Sequence, residues 1–305
     1  MRTYLDCIPC FFRQALEGSR IVRATQKQQK QIIDEFARKI PKISLEASPP
    51  EIARIGYKLL RIVSVNEDPY HAVKQKSNRC ALRLLGRLRK KVSRSKDRLL
   101  AAVELAIAGN IIDFGAKNNL NIKEELKRIL AEENKFIHKQ SIFHYKEFRQ
   151  ALKKSVDILY LADNAGEVVF DRVLIEEIKK EYPDKNIYYA VKGKPVINDA
   201  LFEDAKVCGI NKTAQVISNG TDAPGTLLAF CSKEFKQIYK SADMIISKGQ
   251  GNFESLSNEK RSIFFLFMVK CSVVAKETGC KMGNIVLLYN LNNKNGTVRN
   301  KKTSR

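Results

Sequence analysis

The residues best suited to chemistry lie where a strand turns into a helix. Val156-Asp157-Ile158-Leu159-Tyr160-Leu161-Ala162 reads as a buried strand. Asp163-Asn164-Ala165-Gly166-Glu167 then leads into a segment with Val168, Val169, Arg172, Val173, Ile175, Glu176 and Ile178 at helical spacing. In an open α/β sheet such a turn faces the crevice beyond the carboxyl ends of the strands, and the backbone N–H groups opening the next helix favour an anion. The Asp163 carboxylate and the Asn164 amide carbonyl are hard oxygen donors. That pair suits Mg²⁺, which takes few protein ligands and keeps water or a substrate phosphate in its other positions.

Three more polar stretches follow apolar runs: Lys192-Gly193-Lys194-Pro195-Val196-Ile197-Asn198-Asp199, then Ser218 to Thr226, then Ser247-Lys248-Gly249-Gln250-Gly251-Asn252-Phe253-Glu254. Each alone is adequately explained as turn chemistry. Four at one edge of a sheet are what a binding crevice requires. In that arrangement Asp199 supplies a second carboxylate to a cation held by Asp163 and Asn164. Lys248 neutralises a phosphate from the other side, and the backbone of Ser218, Asn219, Gly220 and Thr221 approaches its oxygens. The set resembles a site for metal-assisted phosphoryl hydrolysis, with water as the attacking group and Asp163 as a covalent nucleophile the alternative.

These turns need a framework. Candidate strands are Ile158–Ala162, Ile187–Val191, Ala214–Ile217, Met244–Ser247 and Ile285–Tyr289, alternating with helices at 167–181, 197–206, 224–233 and 254–276, the last with a possible strand in Ile263–Val269. The alternation implies a mainly parallel sheet covered on both faces. Before residue 155 the pattern is helical, with stripes such as Ile32, Ile33, Phe36 and Ile40, or Leu99, Leu100, Val103 and Ile107. The expected organisation is a helical bundle over 1–150, a Rossmann-like α/β domain over 151–292, and a basic tail over 293–305. Gly109-Asn110-Ile111-Ile112-Asp113, and Asp68-Pro69-Tyr70 with Lys74 and Asn78, read equally well as helix caps or as contributors to the site.

The chain has 305 residues, 55 Lys and Arg against 33 Asp and Glu, and a formal charge of +22. That charge favours nucleic acid, anionic membrane or phosphorylated metabolites. The basic residues are scattered along helices, runs such as Arg87-Leu88-Arg89-Lys90-Lys91 read as solvated faces, and no nucleic-acid-binding signature is present, which argues against a nucleic-acid partner. A basic, non-catalytic nucleic-acid binder is kept as an alternative, as is a Rossmann-like methyltransferase or nucleotide-binding enzyme in which the acid after the first strand meets a ribose. Gly-x-Gly-x-x-Gly and the P-loop pattern are both missing, which weakens the nucleotide readings. No apolar window approaches a membrane span and the N-terminus lacks a signal-peptide core, so no membrane partner and a cytoplasmic location are expected. The seven cysteines read as reduced thiols, with Cys7-Ile8-Pro9-Cys10 the only close pair, either structural or part of a metal site completed elsewhere. His71, His138 and His144 are too dispersed for a zinc centre.

Asp163-Asn164-Ala165-Gly166-Glu167, Ile197-Asn198-Asp199-Ala200, Asn219-Gly220-x-Asp222-Ala223-Pro224-Gly225-Thr226 and Lys248-Gly249-Gln250-Gly251-Asn252-Phe253-Glu254 are together similar to the damage-control phosphatases, formerly the domain-of-unknown-function 89 family. Cys7-x-x-Cys10, Asp68-Pro69-Tyr70 and Gly109-Asn110-x-Ile112-Asp113 also match, and they point to the mainly prokaryotic branch. The resemblance implies a helical domain on a Rossmann-like domain, with a divalent cation (Mg²⁺, Mn²⁺, Co²⁺ or Ni²⁺) held by Asp163, Asn164 and Asp199. It also implies hydrolysis of small phosphorylated metabolites, either sugar phosphates or damaged cofactor intermediates. Lys248 matches the family's phosphate-contacting lysine, and Glu167, Asn252, Asn110 and Asp113 are carried over as substrate-side residues. The Arg-Thr-x-Lys motif of the sugar-phosphate-specific eukaryotic members is replaced by Ser218–Thr226.

Overall fold

The computed structural model describes residues 1–110 and 142–290. Helices α1 (Cys7–Ile21), α2 (Gln26–Lys39) and α3 (Pro49–Ser64) come first. Thr25 opens α2 with a capping box, its hydroxyl accepting from the Gln28 N–H while the Gln28 side chain accepts from the Thr25 N–H. Pro49 and Pro50 fill the first turn of α3, where a missing N–H costs nothing. The three helices bury Ile32, Phe36, Ile52 and Leu60 between them. Next come α4 (His71–Leu82), α5 (Leu85–Arg94), α6 (Arg98–Gly109) and α7 (Tyr145–Lys154).

The strands are β1 (Asp157–Leu161), β2 (Asn186–Val191), β3 (Gln215–Ser218), β4 (Met244–Lys248), β5 (Ile263–Met268) and β6 (Ile285–Asn290). They form one six-stranded sheet in the order β3-β2-β1-β4-β5-β6. All neighbours are parallel except the antiparallel edge pair β5–β6. Helices α8 (Val168–Glu181), α9 (Phe202–Val207), α10 (Lys233–Ser241), α11 (Gln250–Leu256) and α12 (Ser272–Thr278) follow β1 to β5 in turn. The expected mainly parallel α/β sheet with an N-terminal helical half is therefore present. The strand order reverses between β1 and β4, so the topological switch point lies beyond their carboxyl ends.

Strand period sorts β1 between two cores. Ile158 and Tyr160 join Leu88, Val103, Ile107, Phe148, Phe170 and Phe264 on the face covered by α5 to α8. Leu159 and Leu161 join Phe235, Phe253, Phe265 and Val274 on the face covered by α10 to α12. The first cluster crosses residue 150, so α5, α6 and α7 share a core with the sheet. Among the described residues, α1 to α3 contribute most of two smaller clusters, one of which also takes in Tyr70 and, at its edge, Ile197. Arg89, in the basic run of α5, makes a bidentate pair with Glu176 on α8 (2.9 and 2.6 Å), while Arg87 and Lys90 are exposed and Leu88 is buried in the core.

Three expected helices differ. Residues 198–200 pair with 163–165 in an antiparallel bridge, so the helix expected over 197–206 starts only after Leu201, whose N–H is capped by Asp204 (2.9 Å). The helix expected at 224–233 is displaced to α10, because Ser232 caps Phe235 N (3.1 Å) while Leu228–Phe230 forms only a 3₁₀ turn. The 254–276 stretch divides into the end of α11, strand β5 and the start of α12. The basic tail expected over 293–305 lies outside the described residues, as does His138. Among the described residues no helix is long and apolar enough to cross a membrane, and the cysteines all carry unbridged thiols.

Candidate active site

The turn after β1 is fixed from both sides. Ala165 N donates to Asn198 O (2.8 Å) and Ala200 N donates to Asp163 O (2.8 Å), so Asn164 stands opposite Asp199. Asp163 and Asn164 thus lie together with Asp199, distant from them in sequence, at the switch point. Asp163 is partly exposed and Asp199 is buried. Burial raises the Asp163 carboxyl well above its ordinary range, and the charges of Glu167 and Asp199 push it further. Asp199 is pushed up to about 6, chiefly by burial, against the restraint of Lys192. Lys192 Nζ lies 3.3 Å from Asp199 Oδ2 and donates to the Gly225 carbonyl.

The helical half reaches the same point. Gly109 packs so closely on α8 that a Cβ there would stand 2.9 Å from the Phe170 ring, and this brings the end of α6 onto the turn. Asn110, the C-cap of α6, donates from Nδ2 to Asp163 Oδ2 (2.8 Å) and Glu167 Oε2 (3.0 Å). Asn164 Nδ2 donates to the same Asp163 oxygen (2.7 Å). Asn78 on α4 accepts from Gly166 N (2.7 Å) and donates to Asp204 (2.6 Å). Asp68 is not the cap of α4, which begins at His71 after Tyr70; its carboxylate pairs with Lys74 at 2.8 Å. Of the two stretches that read as caps or site residues, Asn110 serves both as a cap and as a partner of Asp163, and Asn78 ties α4 to the turn at Gly166. Asp113 lies outside the described residues.

Several expected contacts take a different form. Lys248 is fully buried and donates to Glu167 Oε1 and Asp171 Oδ1, each at 2.6 Å, so its ammonium is committed to two carboxylates rather than presented to a phosphate. Burial alone would lower this ammonium, but Asp171 and Glu167 outweigh it and lift it to about 12. Glu167 is likewise interior, a link between Lys248 and Asn110 rather than a substrate contact. The N–H groups of Gly220 and Thr221 are consumed within their own loop by Ser218 Oγ (3.1 Å) and Asn219 Oδ1 (3.0 Å), and Asn219 N donates to Val191 O, so this loop does not offer the expected phosphate cradle. Asn252 is buried, donating to Ala162 O and Lys248 O and accepting from Thr226, a tie between β1 and β4 rather than a ligand contact.

Sequence reasoning missed Asp171, Tyr160 and Tyr189. The two phenols donate to Asp171 (2.7 and 2.8 Å) and fix it beneath Lys248. A signal was present: Asp171 sits one helical turn after Glu167, on a stripe otherwise apolar, where an acid is not expected without a buried partner. Arg54 and Arg61 of α3 were also missed. They hold Asp222 of the third loop at 2.6 and 3.1 Å, and Arg54 stacks over Phe230.

The donor set fits a small hard cation. Asn110 Oδ1 and Asp199 Oδ2 are buried without an aligned hydrogen-bond partner, beside carboxyls whose pKa values burial raises. Among the described residues no three His, Cys, Asp or Glu side chains converge as a metal cluster. Two carboxylates and an amide match an ion that keeps water or phosphate in most positions, as Mg²⁺ does.

The family model described as "Damage-control phosphatase ARMT1-like domain" matches residues 3–286. The chain is 37% identical to an uncharacterised protein of Methanocaldococcus jannaschii over 292 residues, covering 93% of this chain and 94% of the relative. It is 36% identical to a damage-control phosphatase of Pyrococcus horikoshii (95% and 99% covered) and 32% identical to one of Archaeoglobus fulgidus (92% and 96%). The crystal structure of a DUF89 family protein from Pyrococcus horikoshii superimposes with a TM-score of 0.83 at 33% identity, covering 95% of this chain and 99% of that one. The chain belongs to the damage-control phosphatase family with the ARMT1-like domain.

Proposed function

We propose that the protein is a metal-dependent phosphatase that hydrolyses phosphate monoesters of small phosphorylated metabolites. The observation that carries this reading is the bridge between Asn164 and Asp199, which gathers Asp163, Asn164 and Asp199 at the switch point of the sheet. Relatives named damage-control phosphatase support the reaction class. Asp163, Asn164 and Asp199 would hold a divalent cation, which when bound supplies charge neutralisation and Lewis-acid polarisation to a phosphoryl group.

The chain's own side chains prepare the place. The Asn110 and Asn164 amides hold Asp163 in orientation, Asn110 also donates to Glu167, and the Lys248–Asp171–tyrosine network holds Glu167. Such preorganisation matters because phosphoryl transfer is catalysed mainly by positioning and charge. Lys192 stands beside Asp199, and the Lys270 side chain, exposed at the end of β5, acts electrostatically on Asp163, so positive charge meets an incoming phosphate from two strand ends. The formal charge of +22 attracts anionic substrates to the molecule as a whole.

The test is a screen of phosphorylated metabolites with Mg²⁺, Mn²⁺, Co²⁺ and Ni²⁺ in turn, run on the wild type and on Asp163→Ala. Hydrolysis with at least one cation, lost in the variant while its circular dichroism is unchanged, is the expected result. Hydrolysis retained by Asp163→Ala would overturn the assignment.

A further inference from the structure

Among the described residues, the buried side-chain atoms without a hydrogen-bond partner are Asp68 Oδ1, Lys74 Nζ, Asn110 Oδ1, Asp199 Oδ2, Tyr239 Oη and Ser247 Oγ. The first four surround one crevice: Asn110 touches Asp163, Lys74 is close enough for its charge to act on Asp199, and Asp68 is the ion-pair partner of Lys74. Buried polar groups are normally paired, so a local concentration of such atoms marks a place where something else binds. Three of those four belong to the helical half.

Lysines differ in how far they are committed here. Lys248 is held by two carboxylates at 2.6 Å. Lys192 is shared between Asp199 and the Gly225 carbonyl. Lys74 is 2% exposed, lies 2.8 Å from Asp68 Oδ2 and 4.0 Å from Asp204 Oδ2, and makes an aligned hydrogen bond to neither. It is not needed to tie α4 to Asp204, because Asn78 makes that tie at 2.6 Å. An ammonium on a flexible four-carbon stem, with three donors and no aligned acceptor, is ready to exchange one anion for another.

We propose that Lys74, carried into the crevice by α4, is a substrate-binding group that takes the phosphate of the substrate, with Asp68 as its resting partner. The proposal rests on the phosphatase reading. It assigns to the helical half the charge that Lys248, locked between Glu167 and Asp171, cannot offer. A phosphate dianion outcompetes a single carboxylate for the ammonium, and Asp68 is released toward solvent, where its side chain is already 18% exposed.

Charge gives the test its sign. An ammonium near a cation site opposes the cation and favours the anion, so removing it moves the two ligands in opposite directions. Calorimetry on Lys74→Met, with Mn²⁺ alone and then with inorganic phosphate at saturating Mn²⁺, is expected to show Mn²⁺ affinity unchanged or higher and phosphate affinity at least about tenfold lower. Lys74→Arg should recover most of the phosphate affinity, and KM for p-nitrophenyl phosphate should rise in Lys74→Met with little change in kcat. A purely structural lysine would weaken both ligands together, and that result, or phosphate affinity within about twofold of wild type, overturns the proposal. Should Lys74→Met fail to fold, Asp68→Asn carries the test: loss of the resting partner should tighten phosphate binding, and unchanged or weaker binding overturns the proposal. A wild type that binds none of the four cations and hydrolyses no phosphoester fails the phosphatase reading itself, a result distinct from a working enzyme indifferent to Lys74.

Discussion

A Cβ on Gly249 would stand 2.0 Å from Asp163 Oδ2. Gly249 follows β4 with φ at +82° and Asp163 follows β1, so the two strand ends flanking the switch point approach so closely there that only a hydrogen fits between backbone and carboxylate. Gly249→Ala is expected to cost about 1–3 kcal/mol of stability through the strained backbone. It should also displace the Asp163 carboxylate and reduce kcat at least about a hundredfold, since a small misplacement at a reacting centre is costly. Urea unfolding together with steady-state kinetics checks both effects.

Asn110→Ala leaves Asp163 and Glu167 without their shared donor from the helical half. Partners that orient metal ligands are typically worth 10–100-fold, so metal affinity or kcat should fall by roughly that factor with little change in Tm. Titration with Mn²⁺ and thermal melts of the variant separate the two.

Lys248→Met removes the cation between two buried carboxylates. A broken buried pair costs about 3–5 kcal/mol because the remaining charges stay uncompensated. Tyr160→Phe and Tyr189→Phe, each removing one hydrogen bond to Asp171, should cost about 1–2 kcal/mol each. Denaturant midpoints order the three variants.

Proton linkage at Asp199 has a definite sign. Its folded carboxyl titrates at about 6, above the ordinary value of 3.8, so the folded state binds the proton more tightly. The group's contribution to stability is therefore greatest when it is protonated and is lost as pH rises from about 4 to about 6. Cation-free protein should gain Tm on acidification from pH 7 to pH 5 relative to Asp199→Asn, by about 2 °C or more. Saturating Mg²⁺ or Mn²⁺ favours the ionised carboxylate and should reverse the trend. Differential scanning calorimetry of both proteins, with and without cation, reads the difference.

The parts of the site that are local in sequence were legible. Asp163 and Asn164 sit in a turn between an apolar run and an amphipathic helix, and Asp199 follows the next strand, so strand-end logic places them at one edge. The chemistry of the third loop was legible too, since Ser218-x-Gly220 and Asn219-x-Thr221 are spacings at which side chains bond the backbone two residues on; that use was overlooked in favour of a phosphate. Other features depend on partners far along the chain. Lys248 meets Asp171 across 77 positions and Asn78 meets Gly166 across 88, and nothing in a neighbourhood of ten residues announces either. The helix expected at 224–233 failed for a local reason: Ser232 is the stronger start signal.

Arg54 and Arg61 grip Asp222 from 168 and 161 positions away. During synthesis from the N-terminus, the arginines leave the ribosome long before their acid exists, and Lys248 and Gly249 come later still. Contacts of such separation cannot close before residue 222 has been made, so on the ribosome this part of the molecule is completed only after the helical half has been synthesised. Nascent chains arrested before residue 250 would accordingly hold formed helices and an unfinished pocket.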